Sequence, residues 1–438
     1  MSLGGMRSSK APSPSQLLQH SVSEATRARA WRVIHACEYA RDVLPLVEGQ
    51  LAAGMRPYIV TPEGEGSAEL YLAGRPQDER RPLSLLRSWQ DVRNWRKSIL
   101  DCDPANSADL VHAHSFAAGM AAVRTIGGVV YDLTSCIEEL AISAGQCETG
   151  SWMARSFRVA EQFVLSRAAA VIVHSLSMKD AALERGAPSE NIFVIPDPLP
   201  SEDDHALAAF SSTSADFLRR FGLNADTVTF LVPQFATVTA TALTATQLAI
   251  LESFAQAVRE HPHFHMLLEG VPSPLLREVI RNRASGLGVQ AHLAFIEPDQ
   301  AAEAWHSADV VIATGDLPSD PLLAKRPDQI CLYAMRYGKT LLAADHPRNR
   351  ETSPDGRGCL WFEHNNPSDL AFRLAFLGHN PEFRAALGTT ARNYIRESRS
   401  SAAIGKKYQE AYRHAFSRRK STGPGAGMAS LQPATNWS

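Results

Sequence analysis

The sequence has no long hydrophobic run. No stretch approaches the roughly 20 apolar residues that span a bilayer. Residues 1–28, which begin MSLGGMRSSK, also lack the apolar core of a signal peptide. We therefore expect no transmembrane helix, and we interpret residues 1–28 as a disordered leader.

Paired cysteines are missing as well. The six cysteines form no Cys-x-x-Cys pair and no cluster with histidines at zinc-site spacing, and most of them lie in apolar segments. A thiol in such a segment behaves as a small hydrophobic side chain. The sequence therefore predicts free, reduced cysteines and a cytoplasmic location.

Neither sign of charge is in excess. The chain has 44 Lys and Arg against 46 Asp and Glu, a net charge of −2 over 438 residues. No strong field draws such a protein to nucleic acid, so no nucleic-acid partner is predicted. An acidic run at residues 202–204 follows no apolar strand, and we interpret it as a solvated turn rather than as a metal site.

What the sequence does contain is a regular alternation of short β-branched runs and longer amphipathic segments, which predicts doubly wound α/β domains. A Pro-, Ser- and acid-rich break divides the chain, whose length alone suggests more than one core. The predicted organisation is a first Rossmann-like domain at 29–200, a linker at 201–226, a second Rossmann-like domain at 227–400, a helix at 401–420 that returns to the first domain, and a disordered tail at 421–438. The predicted strands are 31–36, 57–61, 110–113, 128–133, 171–174, 192–195, 228–232, 265–268, 292–296, 310–313, 341–343 and 359–362.

Two such domains leave a cleft at the carboxyl ends of their strands, where open α/β sheets bind ligands. In the segment DLVHAHS, His112 and His114 lie two residues apart at the end of a predicted strand, so both side chains point to the same side of the sheet. They either face the cleft or form hydrogen bonds within the strand–loop corner. Ser175 and Ser177 begin a helix, where their side chains can cap it or its amides can receive a phosphate.

The second half carries the most specific pattern. YAMRYGKTLLAAD is followed by HPRNRETSPDGRGCLWF and a later Asn-Pro helix start. These segments resemble the retaining GT-B glycosyltransferases, and the first-half segments DLVHAHS and VIVHSLSMKD agree. The resemblance covers about residues 31–407. The family positions that match are Asp345, Glu351, Asp355, Gly356, Gly358 and Pro367.

The resemblance implies a GT-B fold, a nucleotide-sugar donor and a metal-free mechanism without a cofactor. It further implies sugar transfer with retention to a hydroxyl of a glycan or lipid-linked acceptor, in polysaccharide or glycolipid assembly. Peripheral association with the inner face of the membrane is compatible with that role. The oligomeric state stays open.

Four features of the family pattern are missing, namely the signature glutamates, a histidine, the glycine-rich turn and a basic pair. Lys325 and Tyr333 stand where the family has its two signature glutamates, and Thr134 stands where many relatives have a histidine. Residues 36–44 lack the glycine-rich turn, and residues 235–247 lack the basic pair that neutralises the donor diphosphate. Because a buried diphosphate needs compensating charge, these changes bear on activity.

Two hypotheses follow. In an active transferase, Glu138 is the candidate catalytic residue, because it follows the fourth predicted strand and can face the cleft; a capping or salt-bridging role is the alternative for it. The resemblance and the loop positions make Lys325, Tyr333, Arg350 and Glu351 the candidate donor-binding residues. Alternatively, the chain is a catalytically inactive GT-B relative that acts as a binding or scaffold module. A GT-B epimerase or phosphorylase is a third class, less favoured because no lysine-bound cofactor motif is present.

Overall fold

The computed structural model contains two α/β domains. It describes residues 31–38, 43–52, 54–61, 64–67, 88–102, 108–125, 127–196, 214–224, 226–235, 243–271, 273–314 and 329–421. The predicted leader, most of the predicted linker and nearly all of the predicted tail lie outside these ranges. Within them, no helix combines the length and the hydropathy needed to cross a membrane.

The first domain is built on a seven-stranded sheet with the order β3-β2-β1-β4-β5-β6-β7. All neighbouring strands are parallel except the edge strand β3, which runs antiparallel to β2. Most strand residues are buried, as expected when helices cover both faces of a parallel sheet. The strands are β1 (Arg32–Ala36), β2 (Arg56–Thr61), β3 (Gly64–Ser67), β4 (Leu110–Ala113), β5 (Val129–Leu133), β6 (Ala170–Val173) and β7 (Ile192–Val194).

Six helices of the first half connect these strands. Three of them, α3, α5 and α6, begin at a serine whose side chain accepts a hydrogen bond from the first helical turn. The helices are α1 (Leu44–Ala52), α2 (Ser88–Cys102), α3 (Phe116–Ala122), α4 (Ile137–Ser143), α5 (Trp152–Arg167) and α6 (Leu176–Glu184).

The second domain has a six-stranded parallel sheet with the order β10-β9-β8-β11-β12-β13. Its strands are β8 (Val228–Val232), β9 (Phe264–Glu269), β10 (Leu293–Ile296), β11 (Val310–Ala313), β12 (Thr340–Ala344) and β13 (Cys359–Phe362). The helices are α7 (Ser214–Arg220), α8 (Ala245–Glu260), α9 (Pro274–Leu287), α10 (Ala301–Ser307), α11 (Gln329–Arg336), α12 (Pro347–Arg350), α13 (Pro367–His379) and α14 (Pro381–Arg399). Two apolar clusters, one on each face of the sheet, form its core.

Helix α7 lies within the predicted linker at 201–226. Phe217 of this helix is fully buried, and it packs with Leu223 and Leu231 in the core of the second domain. The helix therefore packs with that domain, although the sequence around it is rich in serine and charge. The domain limits remain a prediction.

The last helix, α15 (Ser401–Ser421), lies on the first sheet. Ile404, Tyr408 and Tyr412 are buried against β-strand residues that include Val33 and Leu110. Their spacing of four residues places them on one face of the helix. The chain therefore closes on the domain in which it begins.

The predicted fold class, a GT-B fold of two doubly wound Rossmann-like domains, is confirmed. The strand β3 was not predicted because GEGS has no apolar residue; it pairs with β2 in the structure. Helix α4 was not predicted either, because its seven residues give too short a pattern to show helical periodicity.

Candidate functional site

A row of polar side chains crosses the first sheet near the carboxyl ends of its strands. On the same face, one apolar residue in each of four strands packs against α15. These residues are Val33, Leu110, Val130 and Ile172. Because side chains alternate between faces, the next residues on this face are two positions later. Those residues are His35, His112, Asp132 and His174, and each is at most 5% exposed.

Hydrogen bonds connect this row through His114, which follows β4. His35 Nδ1 lies 3.0 Å from His114 Nε2, and His114 Nδ1 lies 3.1 Å from Asp132 Oδ2. The other carboxylate oxygen of Asp132 lies 2.7 Å from His174 Nε2. His174 Nδ1 is 2.9 Å from the Ile195 carbonyl oxygen, to which it donates.

Two further residues join the network from flanking helices. The Gln50 side chain in α1 bonds His35 Nε2 at 2.9 Å through Oε1 and the Tyr412 hydroxyl at 2.8 Å through Nε2. That hydroxyl also lies 2.9 Å from His112 Nδ1. The helix α15 is therefore joined to the strand ends by polar contacts as well as by apolar packing.

Burial controls the charge of this network. Desolvation, with the neighbouring His114, lowers the pKa of His35 from 6.5 to about 3 and holds the pKa of His112 well below its ordinary value. Burial alone would raise the pKa of Asp132, but His174 and His114 hold it well below its usual range. Near neutral pH, His35 and His112 are uncharged beside an ionised Asp132.

The two domains meet at the start of α6. Ser175 caps this helix by accepting a hydrogen bond from the Met178 amide at 3.0 Å. The amides of Leu176 and Ser177 instead donate to Glu351, which lies beyond β12 in the second domain, at 2.9 and 3.3 Å. A carboxylate at a helix N-terminus is favoured by the helix dipole. The carboxyl edges of both sheets therefore face each other across a cleft, and Glu351 bridges it.

The sequence left two roles open for Ser175 and Ser177, namely capping of the helix and binding of a phosphate by its amides. Ser175 caps the helix, and the amides beyond it bind an anion that the protein itself supplies. Burial raises the pKa of Glu351, although the hydrogen bonds from Leu176 and Ser177 act in the opposite direction.

Arg350, the residue before Glu351, forms its ion pair with a residue of the same segment. Its guanidinium makes a bidentate pair with Asp345, with distances of 2.7 and 2.8 Å, and lies 4.3 Å from the centre of the Trp361 ring. The hydrogen bonds from Arg350 lower the pKa of Asp345. Any phosphate that recruits Arg350 must therefore compete with a carboxylate.

Tyr333 lies in α11 and is 45% exposed. Its ring is 6.5 Å from the Tyr337 ring, nearly parallel to it, and 6.4 Å from Trp305. Trp305 Nε1 donates to Glu269 at the carboxyl end of β9, at 2.9 Å. The structure thus places Tyr333 in an accessible aromatic cluster with a carboxylate beside it. Lys325, the other predicted substitute for a signature glutamate, lies outside the described residues.

Glu138 lies in a different setting. Together with Glu139 and Glu161 it surrounds Arg185, which forms its closest contact, 2.9 Å, with Glu139. Burial raises the pKa of Glu161 to about 7. Arg185 follows the C-terminal end of α6, about 13 Å along the helix from Leu176 at its cleft end. These contacts favour a structural ion-pair cluster for Glu138.

The structure therefore brings Glu351 to the cleft, pairs Arg350 locally and leaves Tyr333 accessible. The polar network of the first sheet contains residues that the sequence reading left out, namely His35, Gln50, Asp132, His174 and Tyr412. A signal was available for three of them. Each follows, two residues on, an inward apolar residue of a predicted strand.

Comparison with known proteins supports the fold. Residues 19–198 match the Glycosyl transferase 4-like domain, which corresponds to the first domain. No curated protein matches the chain.

Among solved structures, a glycosyltransferase from Rickettsia africae is 14% identical, with a TM-score of 0.59 over 89% of this chain and 99% of that one. The Anabaena protein HepE in complex with UDP is also 14% identical, with a TM-score of 0.57 over 87% of this chain and 98% of that one. A putative UDP-N-acetylglucosamine 2-epimerase from Listeria monocytogenes is again 14% identical, with a TM-score of 0.51 over 89% and 97%. At these identities the likeness concerns the fold alone, which a glycosyltransferase and a putative epimerase share.

Proposed function

We propose that this protein transfers a sugar, with retention, from a nucleotide-sugar donor to a hydroxyl acceptor in the cleft between its two domains. The observation that carries the proposal is the contact of Glu351 with the start of α6, because it sets the carboxyl edges of both sheets against each other. Ligands of doubly wound sheets bind at that edge. The match of residues 19–198 to a glycosyltransferase domain supports sugar transfer as the chemistry.

The donor side of the cleft lies on the second domain. Tyr333 is the accessible residue of its aromatic cluster and occupies the position at which the resembling family holds the nucleotide ribose. Its hydroxyl can bond a ribose hydroxyl, and its ring offers a stacking surface. Glu269 adds a half-buried carboxylate beside the cluster, and burial raises its pKa. We expect the nucleoside to lie along this surface.

The chemistry of transfer requires positive charge near the departing diphosphate. Arg350 and the amides at the start of α6 are two groups of suitable polarity near the domain contact. Each is occupied by a carboxylate, Asp345 or Glu351. Donor binding at either place must therefore exchange a protein carboxylate for a phosphate. Glycan and lipid-linked hydroxyls remain the acceptor classes proposed for the first-domain side.

The donor is tested by thermal unfolding with a panel of nucleotide sugars. UDP-glucose is the first probe, because the similar HepE structure holds UDP. A ligand at a hundredfold excess over its dissociation constant stabilises the folded state by about 2.7 kcal/mol. Tyr333→Ala should abolish this stabilisation. The matched control is Phe372→Ala, which removes a 63% exposed aromatic residue from α13 of the same domain.

The same observations also support a second candidate, an inactive relative that serves as a binding or scaffold module. In that case Glu351 and Arg350 keep their internal partners permanently, and the cleft holds no diphosphate. Two results together would establish this alternative and exclude the transferase. The melting temperature would not change with uridine, guanosine or adenosine diphosphate sugars, and a turnover assay would detect no sugar release or transfer.

A further inference from the structure

Three imidazole rings converge where β1 and β4 end. The nitrogen atoms His35 Nδ1, His112 Nε2 and His114 Nε2 belong to a group whose ligand atoms all lie within 4.8 Å of one another. The residues His35 and His112 are direct neighbours across the two parallel strands, and His114 is two residues further along β4. A rigid sheet edge therefore fixes the backbone of all three.

The opposite nitrogen of each ring is already held. His114 Nδ1 bonds Asp132, His35 Nε2 bonds Gln50, and His112 Nδ1 bonds the Tyr412 hydroxyl. Metal-binding histidines in proteins almost always have their second nitrogen bonded in this way to a carboxylate, a carbonyl or a similar group, which fixes the ring and its tautomer. Each of the three histidines has such a partner for its second nitrogen.

The hydrogen-bond directions leave lone pairs facing inward. Gln50 Oε1 and the Asp132 carboxylate are acceptors, so His35 Nε2 and His114 Nδ1 carry the protons. In neutral rings this leaves lone pairs on His35 Nδ1 and His114 Nε2, which lie 3.0 Å apart. Two lone pairs at that distance repel each other unless a cation lies between them.

His112 adds an independent observation. Its Nε2 is buried, has no hydrogen-bond partner among the described residues, and lies 4.0 Å from the nearer Asp132 oxygen. A buried polar atom without a partner is costly, and it needs an ion or a water molecule to satisfy it.

We propose that His35, His112 and His114 form a binding site for one divalent transition-metal ion of the zinc class. Neutral imidazole nitrogens are ligands suited to zinc, nickel, cobalt and copper rather than to magnesium or calcium. Zinc–nitrogen bonds of about 2.0–2.1 Å place two tetrahedral ligands about 3.3 Å apart. The pair of His35 and His114 is close to this separation at 3.0 Å, and the ligand atom of His112 lies within 4.8 Å of the other two.

The surroundings support the same assignment. Asp132 contributes a negative charge that partly balances the ion. His114 is the exposed member of the three, with 11% of its side chain accessible. Three protein ligands with an opening at one side leave a fourth position for water or another ligand.

One metal-free arrangement satisfies most of the same atoms. If the Gln50 amide is turned over, it donates to His35, and neutral hydrogen bonds run from Tyr412 through Gln50, His35 and His114 to Asp132. His112 Nε2 stays without a partner in that arrangement also. The experiment decides between a metal ion and this chain of hydrogen bonds.

The test uses the full-length protein, stripped with a chelator and then titrated with Zn²⁺, with Mg²⁺ as the reference ion. We expect one Zn²⁺ per chain, a rise of the melting temperature with Zn²⁺ but not with Mg²⁺, and reversal by chelator. Co²⁺ should give the visible absorption of a tetrahedral nitrogen-ligated ion. These readouts do not depend on donor binding or turnover.

Variants locate the ion. His114→Ala, which alters the most accessible ligand, should abolish stoichiometric binding and the Co²⁺ spectrum. Tyr412→Phe keeps the buried ring but releases His112, and loss of such a supporting contact typically weakens metal affinity about 10- to 100-fold. The control His261→Ala/His379→Ala removes a histidine pair of the second domain whose ring centres lie 4.0 Å apart, and it should leave binding intact.

Two results would overturn the assignment. If the stripped parent protein takes up no Zn²⁺ at stoichiometric concentrations, the metal-free hydrogen-bond chain is correct. If binding survives His114→Ala and disappears in the His261→Ala/His379→Ala variant, the ion is held at the surface of the second domain instead. If His114→Ala does not fold, Tyr412→Phe provides the test instead. An unchanged Zn²⁺ affinity in folded Tyr412→Phe would then contradict the site.

Discussion

The buried histidines make a specific prediction about acid stability. The perturbation is a change from about pH 7.5 to about pH 5.5, applied to the parent protein and to His35→Gln. Gln keeps a side chain that can bond Gln50 but removes the titrating group. His35 is fully buried, and its pKa of about 3 lies below this entire range.

The sign and size follow from proton linkage. In the unfolded chain His35 titrates near pH 6.5, so the unfolded state gains a proton over the interval while the folded state does not. Folding stability therefore falls as the pH is lowered from 6.5 towards the folded pKa. The loss is about 1.4 kcal/mol for each pH unit below the unfolded value, hence about 1.4 kcal/mol by pH 5.5. Asp132 stays ionised in both states over this interval and adds nothing.

Denaturant unfolding in the presence of a chelator measures this loss without a contribution from bound metal. The relevant quantity is the difference between parent and variant. Other groups also make stability depend on pH in this interval, notably His265, whose folded pKa of about 4 lies below it, and Glu161, whose folded pKa of about 7 lies within it. Their contributions cancel in the difference. His35→Gln should lose about 1.4 kcal/mol less than the parent. Equal losses in the two proteins would refute a buried, neutral His35.

Three further changes have defined outcomes. Arg185→Ala leaves Glu161 buried without its cation, which should cost about 3 kcal/mol at pH 8 and less at pH 6, where Glu161 can protonate; adding Glu161→Gln should restore part of the loss. Gly378→Ala places a methyl group into the buried Phe264 ring and should destabilise by about 1–3 kcal/mol in denaturant unfolding, whereas a neutral result would mean that α13 can shift. Ser175→Ala removes the side-chain cap of α6 and should cost about 1 kcal/mol, and no change would mean that Glu351 alone sustains the helix start.

Local patterns were sufficient for most of the fold. Every strand predicted from a β-branched run has a counterpart in the two sheets, because burial on both faces leaves a continuous apolar signature. The failures are elements held by their neighbours. GEGS forms β3 through pairing with β2, and Phe217 fixes α7 by packing with residues that follow it in the chain. Neither interaction leaves a periodic trace in the segment itself.

The site was harder to predict because its partners are distant in sequence. Glu351 bonds amides 174 and 175 residues away, and Tyr412 bonds Gln50 across 362 positions. Resemblance to a family could name Glu351 as a donor-side residue, but it could not show that the start of α6 would be its partner. In the same way, Glu138 follows β5 at a position where a cleft residue is expected, yet Arg185 draws it into an ion-pair cluster.

Charged and titratable groups are arranged differently in the two domains. On the second domain, Tyr333, which replaces one signature glutamate of the resembling family, is aromatic, and the ionic groups Arg350 and Glu351 already have partners within the protein. On the first domain, titratable groups gather at the strand ends, and one of them, His112, keeps a nitrogen without a partner among the described residues. A carboxylate released by an incoming phosphate must find new partners, and the cost of that exchange limits donor affinity. Weak donor binding with an intact histidine site is therefore the combination that this arrangement of charges favours.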